Sequence, residues 1–255
     1  MGSISLSTDK VISNLQNEIS GFLKESSSLE AAAQKFTYFM YENFRESIVL
    51  ARVFATVPFL NLPDVNQEFV KKLIADKNVK ISLDDHTPVL SLLGTSGIEY
   101  KWNNRRNSRD HVGVPLLSAD FIDLIPMMSR LLKSLGVSLG WINSTDTEII
   151  AKNIGRMAGL FYVPDAKTSV DEKGRKIITA QDFVSKYDVQ TVFGFGGEYI
   201  VGQVFIVVII FTREHLEKDK VKQFIPFTNA IKSVTTSLIL NGKIFFEDKG
   251  NRFSY

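Results

Sequence analysis

The stretch VQTVFGFGGEYIVGQVFIVVIIF, residues 189–211, decides how the rest of the chain is read. Its second half is apolar on both alternating sets: Val204, Ile206, Val208 and Ile210 on one, Phe205, Val207, Ile209 and Phe211 on the other. Successive side chains of a strand point to opposite faces, so a strand with one wet face alternates apolar and polar residues. This one does not, which predicts a central strand covered on both sides. Upstream, Gly196-Gly197 offers the φ > 0 conformations of a tight hairpin, so the stretch reads as strand, glycine turn and strand.

Working outward, 255 residues with 44% hydrophobic content are ample for a substantial core. Thirty basic against 28 acidic residues leave a net charge of +2, too balanced for a dedicated nucleic-acid binder. The absence of cysteine excludes disulfides, thiolate-ligated zinc, iron–sulfur clusters, thiol catalysis and a thioether-linked chromophore. His86, His111 and His215 are too scattered for a metal site, so none is expected, and no cofactor is named. The start, MGSISLSTDK, lacks the apolar segment of a secretory leader, and Leu6 stands where a myristoylation signal wants Ser or Thr. The longest apolar run, residues 200–211, is far short of the ~20 residues that span a bilayer. The expectation is a cytoplasmic protein without a membrane span.

Residues 8–24 carry Val11, Ile12, Leu15, Ile19, Phe22 and Leu23 at helical spacing behind Thr8 or Asp9 as a cap. Ser27 and Glu30 match a capping box opening a second helix over residues 29–43. Residues 47–56 and 87–93 read as strands. Arg52, alone in the first, suits an edge position or a side chain snorkelling to water; the less common alternative is a polar, anion-binding pocket. Residues 65–76 suit a short helix burying Phe69, Leu73 and Ile74. Ser118 caps a helix over 119–135 that Pro126 kinks or divides, and Gly136 stops it. A short glycine-containing piece (137–142), a helical turn (145–153), a strand (158–163), an exposed charged loop (165–176) and a short helix capped by Thr179 (179–187) follow. Residues 214–240 form a long closing helix with Pro226 near its middle, before an extended tail.

The segment from Val189 through VIIFTREHLEKDKVKQFIPFTNAIKSV resembles the closing half of a GAF domain: strand, turn, strand of the form GxxxVxxxxF, acidic–basic helix start, amphipathic helix. Residues 94–136, with WNNRR, HVGVPL and PMMSRLLKSLG, resemble sensory modules of this type found near bacterial histidine kinases. The resemblance implies an α+β, GAF/PAS-like antiparallel sheet with helices on one face and an irregular lid, residues 94–187, on the other. It implies one domain: N-terminal helices (1–45), sheet and lid (46–213), C-terminal helix (214–242) and tail (243–255). It further implies a small-molecule ligand of unknown identity between sheet and lid, a homodimer, and a histidine kinase or other signalling partner. Without cysteine the chain departs from the methionine-sulfoxide reductase and bilin-carrying branches, and no cyclic-nucleotide motif matches.

The donor-rich segment 94–118 holds the site candidates Trp102, Asn103, Arg105, Arg106, Arg109 and His111. The arginines suit a carboxylate or phosphate, and Trp102 a planar ligand. The plainer alternative is a solvated loop whose arginines bind local carboxylates and whose Trp plugs the sheet. His111 beside Asp110 suits a loop residue held by a carboxylate better than an iron ligand. Asp84-Asp85-His86 reads as a turn rather than a metal cluster, and Gly194–Gly197 as a turn rather than a phosphate loop. No catalytic motif is present, so the expected function is non-enzymatic sensing. The alternatives are a ligand-free dimerisation or interaction module, and an enzyme using Arg109 and His111 on an anionic substrate.

Overall fold

The computed structural model describes residues 2–77, 83–108, 111–136, 159–199 and 204–246. The expected pieces at 137–142 and 145–153, together with Arg109, lie outside the described residues. Six strands form one antiparallel sheet: β1 (Ile48–Pro58), β2 (Pro88–Gly97), β3 (Gly113–Pro115), β4 (Gly159–Val163), β5 (Val192–Glu198) and β6 (Phe205–Thr212). Their order is β3-β2-β1-β6-β5-β4, so β1 and β6 lie at the centre. The fold is α+β, as expected.

All eight residues of β6 are buried, and its alternation divides the interior in two. Val204, Ile206, Val208 and Ile210 face a helical layer built from α1 (Asp9–Leu23) and α2 (Leu29–Asn43). That layer is completed by α7 (Lys218–Lys222) and α8 (Phe227–Leu240), whose Val221, Phe227 and Ile231 join the same cluster with Phe224 from the turn between them. Phe205, Val207, Ile209 and Phe211 face a second layer, which takes Phe121 and Ile122 from α4 (Ala119–Asp123). It also takes Leu131 and Leu132 from α5 (Pro126–Ser134) and Val184 from α6 (Gln181–Lys186). A remaining helix, α3 (Asp64–Asp76), buries Val70 in a satellite cluster beside β2, with half-buried Ile74 packed on it and half-buried Leu73 against the second layer.

Several local expectations are corrected. Gly196 and Gly197 are not the hairpin turn; they pair with Val207 and Ile206 inside β5, and among the described residues the positive-φ glycines are Gly136, Gly174 and Gly242. Gly196 is needed for space: a Cβ there would sit 2.3 Å from the carbonyl oxygen of Ile206. The stretch 94–187 is not wholly a lid, because β2 runs on to Gly97, and β3 and β4 complete the two edges of the sheet. Arg52 is not on an edge strand: it lies opposite Thr95 and Ile209 in the middle of the sheet, on the face of Leu50 and Phe54.

Both internal prolines divide their helices. Pro126 becomes the first residue of α5 and Pro226 directly precedes α8, since proline has no N–H to give and clashes with the preceding turn. The cap of α2 is Ser28 rather than Ser27: Ser28 Oγ accepts from Ala31 N–H at 3.1 Å. Glu30 is thereby released from a capping box. The C-terminal tail is not free at its start, because Leu29 and Glu30 N–H donate to the carbonyls of Lys243 and Ile244 at 2.9 and 2.8 Å. Those are donors that a helix N-terminus cannot satisfy internally, so residues 243–246 act as a strap across the start of α2.

Candidate functional site

The chain leaves β2 at Gly97 through two 3₁₀ turns, Tyr100–Asn103 and Arg105–Asn107. Side-chain amides shape the path: Asn103 Oδ1 accepts from Gly97 N–H at 2.8 Å, and Asn104 Oδ1 from Arg106 N–H at 3.0 Å. The second is an Asx contact, the kind that suits asparagine to tight turns. The second turn delivers Arg105 into the interior, only 6% exposed. Its Nε donates to Glu30 Oε1 at 2.7 Å, its Nη1 reaches Asn66 Oδ1 of α3 at 3.4 Å, and its guanidinium lies 5.1 Å from the Phe245 ring centre. Asn66 in turn donates to Ser91 Oγ of β2 at 3.0 Å. A buried guanidinium persists only when paired and hydrogen-bonded, and this one is.

Glu30 is the hub. Its Oε1 also takes Arg106 Nη1 at 3.0 Å, and its Oε2 accepts the Phe246 N–H at 2.8 Å. The carboxylate therefore ties the turn segment, α2 and the C-terminal strap to one point. Close packing of α2 on β2 positions it. A Cβ on Gly94 would fall 2.4 Å from the carbonyl atoms of Ala33, and Gln34 both accepts from Thr95 N–H and donates to Thr95 O.

On the other side of the sheet the same segment contacts the second layer. Trp102 packs edge-on against Tyr187 at 4.9 Å and tilted against Phe183 at 5.8 Å. The Tyr187 hydroxyl donates to Glu99 Oε1 at 2.8 Å. Of the expected site residues, Asn103, Arg105 and Arg106 converge on one cleft of about 260 Å³, which Glu30, Gln34 and Phe246 also line. Trp102 is brought to the opposite layer, and exposed His111, in the left-handed region at φ 56°, is not among the cleft residues. The cleft lies beside α2, not between the sheet and the lid. Sequence reasoning missed Glu30, Asn66, Gln34 and Phe246, since an acid in a first helical turn and a tail aromatic are ordinary features until the chain is folded.

Elsewhere, Asp84 forms the expected turn, its Oδ1 accepting from His86 N–H at 2.7 Å. At the far end of the helical layer the Tyr199 hydroxyl meets Thr235 Oγ1 at 2.7 Å, and burial pushes that phenol well above its ordinary range. Nearby, burial raises the carboxyl of Glu198 and lowers the ammonium of Lys232, each partly offset by the other's charge. Among the described residues no group of three or more His, Asp or Glu side chains is placed to hold a metal ion. No described helix is long and apolar enough to cross a membrane.

No protein-family model matches the chain, and neither does any curated protein. Solved structures that are similar include a GAF domain at 10% identity and TM-score 0.46, covering 96% of this chain and 93% of that one. The GAF domain of a phosphoenolpyruvate-protein phosphotransferase from Coxiella burnetii aligns at 10% identity and TM-score 0.48, over 92% of this chain and 99% of that one. Free methionine-R-sulfoxide reductase from Neisseria meningitidis aligns at 8% and 0.48, over 92% and 94%. In fold, the chain is similar to GAF domains.

Proposed function

We propose that the chain is a non-enzymatic, small-molecule-sensing domain of a signalling system. In this reading a ligand is held against the lid side of the sheet, and the signal leaves through the terminal helices to a histidine kinase or other partner, or to a dimer mate. One observation carries it: residues 99–106 are bonded to both layers at once. Glu99 and Trp102 engage Tyr187 and Phe183 on the lid side. Three residues later, Arg105 and Arg106 hold Glu30, at the start of α2 and under the C-terminal strap. A ligand that favours one arrangement of the lid aromatics would thereby bias the segments leading into and out of the domain.

Native mass spectrometry of the purified protein, paired with hydrogen exchange, tests this. The expected result is a retained or titratable small molecule that changes exchange at residues 29–31 and 243–246. A protein that takes up no small molecule from a broad metabolite mixture, or one whose ligand leaves those amides unchanged, refutes the reading. A ligand-free interaction module is the second reading, favoured by the large side chains, Phe121, Leu131 and Phe161 among them, that already fill the lid-side core. It predicts a stable oligomer whose assembly is indifferent to Trp102→Ala.

A further inference from the structure

We infer that the cleft beside α2 is itself a binding site, and that it takes a small carboxylate with a flat apolar body. It is separate from the lid side of the sheet, so it stands whether or not a ligand binds there. The argument begins with charge: among the described residues, Arg105 and Arg106 share a single carboxylate, Glu30, two positive charges against one negative. The acceptors of Glu30 are committed, Oε1 to the two arginines and Oε2 to Phe246 N–H. Arg105 is sealed in the interior, whereas the Arg106 side chain is 45% exposed and spends one of its five donors on Glu30.

The neighbouring amides add donors. Asn103 and Asn104 each use the side-chain oxygen to accept a backbone N–H, an assignment that only the oxygen can satisfy, and this leaves both NH₂ groups as donors. Gln34 is spent on β2 through both of its polar atoms. The lining thus offers cationic and neutral donors and almost no spare acceptor, which suits an oxyanion. Its remaining walls are apolar: Ala31, Leu93 and the largely exposed ring of Phe246. Donors together with an aromatic wall in one cleft select a carboxylate attached to a planar apolar group over a bare inorganic anion. Arg106 is the residue that binds it, because a guanidinium grips a carboxylate through two parallel hydrogen bonds.

Benzoate is the probe, with benzamide as its neutral match and inorganic phosphate as the bare anion, all titrated by calorimetry into the full chain. The proposal expects saturable benzoate binding and none by benzamide or phosphate at the same concentrations. Arg106→Gln, at a half-exposed position that leaves the buried Arg105–Glu30 pair intact, should weaken benzoate at least about tenfold, the loss of a charge-assisted contact. Phe246→Ala should weaken it less, and His111→Gln should leave it unchanged. No benzoate binding, equal binding of benzamide or phosphate, or an unaltered affinity in Arg106→Gln overturns the site. The sensing proposal is judged by exchange at the terminal segments instead, so either can fail without the other.

Discussion

Glu30→Gln should be among the most destabilising polar substitutions in this protein, and more so than removal of its principal partner. Glutamine preserves the shape and one acceptor oxygen but withdraws the charge and turns an NH₂ toward the Phe246 N–H or the arginines. That leaves the Arg105 guanidinium about 93% buried with neutral acceptors and the Phe245 ring to face. An uncompensated buried charge costs roughly 3–5 kcal/mol. In a chain of this size that lowers the melting temperature by about 10 °C. Arg105→Met is different. Glu30 then keeps Arg106 and the Phe246 N–H, and the methionine stem fills much of the vacated space, so the loss should be about 1–2 kcal/mol. Replacing both members, as Glu30→Leu with Arg105→Met, removes the desolvated pair altogether. It strands the Phe246 amide and Asn66 Oδ1, while half-exposed Arg106 turns to water, and should cost less than Glu30→Gln alone. Urea unfolding followed by tryptophan fluorescence and circular dichroism measures all three. If Arg105→Met costs as much as Glu30→Gln, or the double variant is less stable than Glu30→Gln, the account of Glu30 as the charge that keeps Arg105 buried is wrong.

Other outcomes follow from the same physical reasoning. Gly94→Ala should cost at least about 3 kcal/mol, the upper part of the usual overpacking range, because the added carbon meets the backbone of Ala33 at 2.4 Å and backbone cannot step aside. Gly21→Ala is its control: it meets nothing within 4 Å in an exposed stretch of α1 and should stabilise by about 0.5–1 kcal/mol, both read from urea midpoints. Tyr199→Phe should cost about 1 kcal/mol for the lost hydroxyl contact with Thr235. Because burial raises that phenol above its unfolded value, its contribution is complete below about pH 10 and is lost as pH climbs, so the variant should flatten the alkaline limb of the stability curve. Asp123 behaves in the opposite sense. The hydrogen bond from Lys173, outweighing burial and helped by Arg175, holds its carboxyl below the usual range. Its contribution is present above about pH 3.9 and fades as acid protonates it, so Asp123→Asn should lose part of the acid limb in a pH series of thermal melts.

The sequence by itself determined the layering. Val204 to Phe211, apolar on both alternating sets, could only be a strand with a cover on each face, and the structure divides those residues between two clusters. Helix spans read from periodicity and prolines were equally local matters: α1, α2 and the break at Pro126 depend on residues within a few positions of one another. Tertiary structure decided what spacing cannot encode. Gly196 looked like a turn because glycine serves both turns and close strand contacts, and only the neighbouring carbonyl of Ile206 shows which is at work. The arginines of residues 105 and 106 were legible as anion seekers, but the carboxylate they found is 75 positions away from Arg105, on α2, beside a tail that returns from the far end of the chain. Charges and shapes meet across such distances only after the sheet has brought their elements together, and for that reason the cleft belongs to the fold and not to any motif.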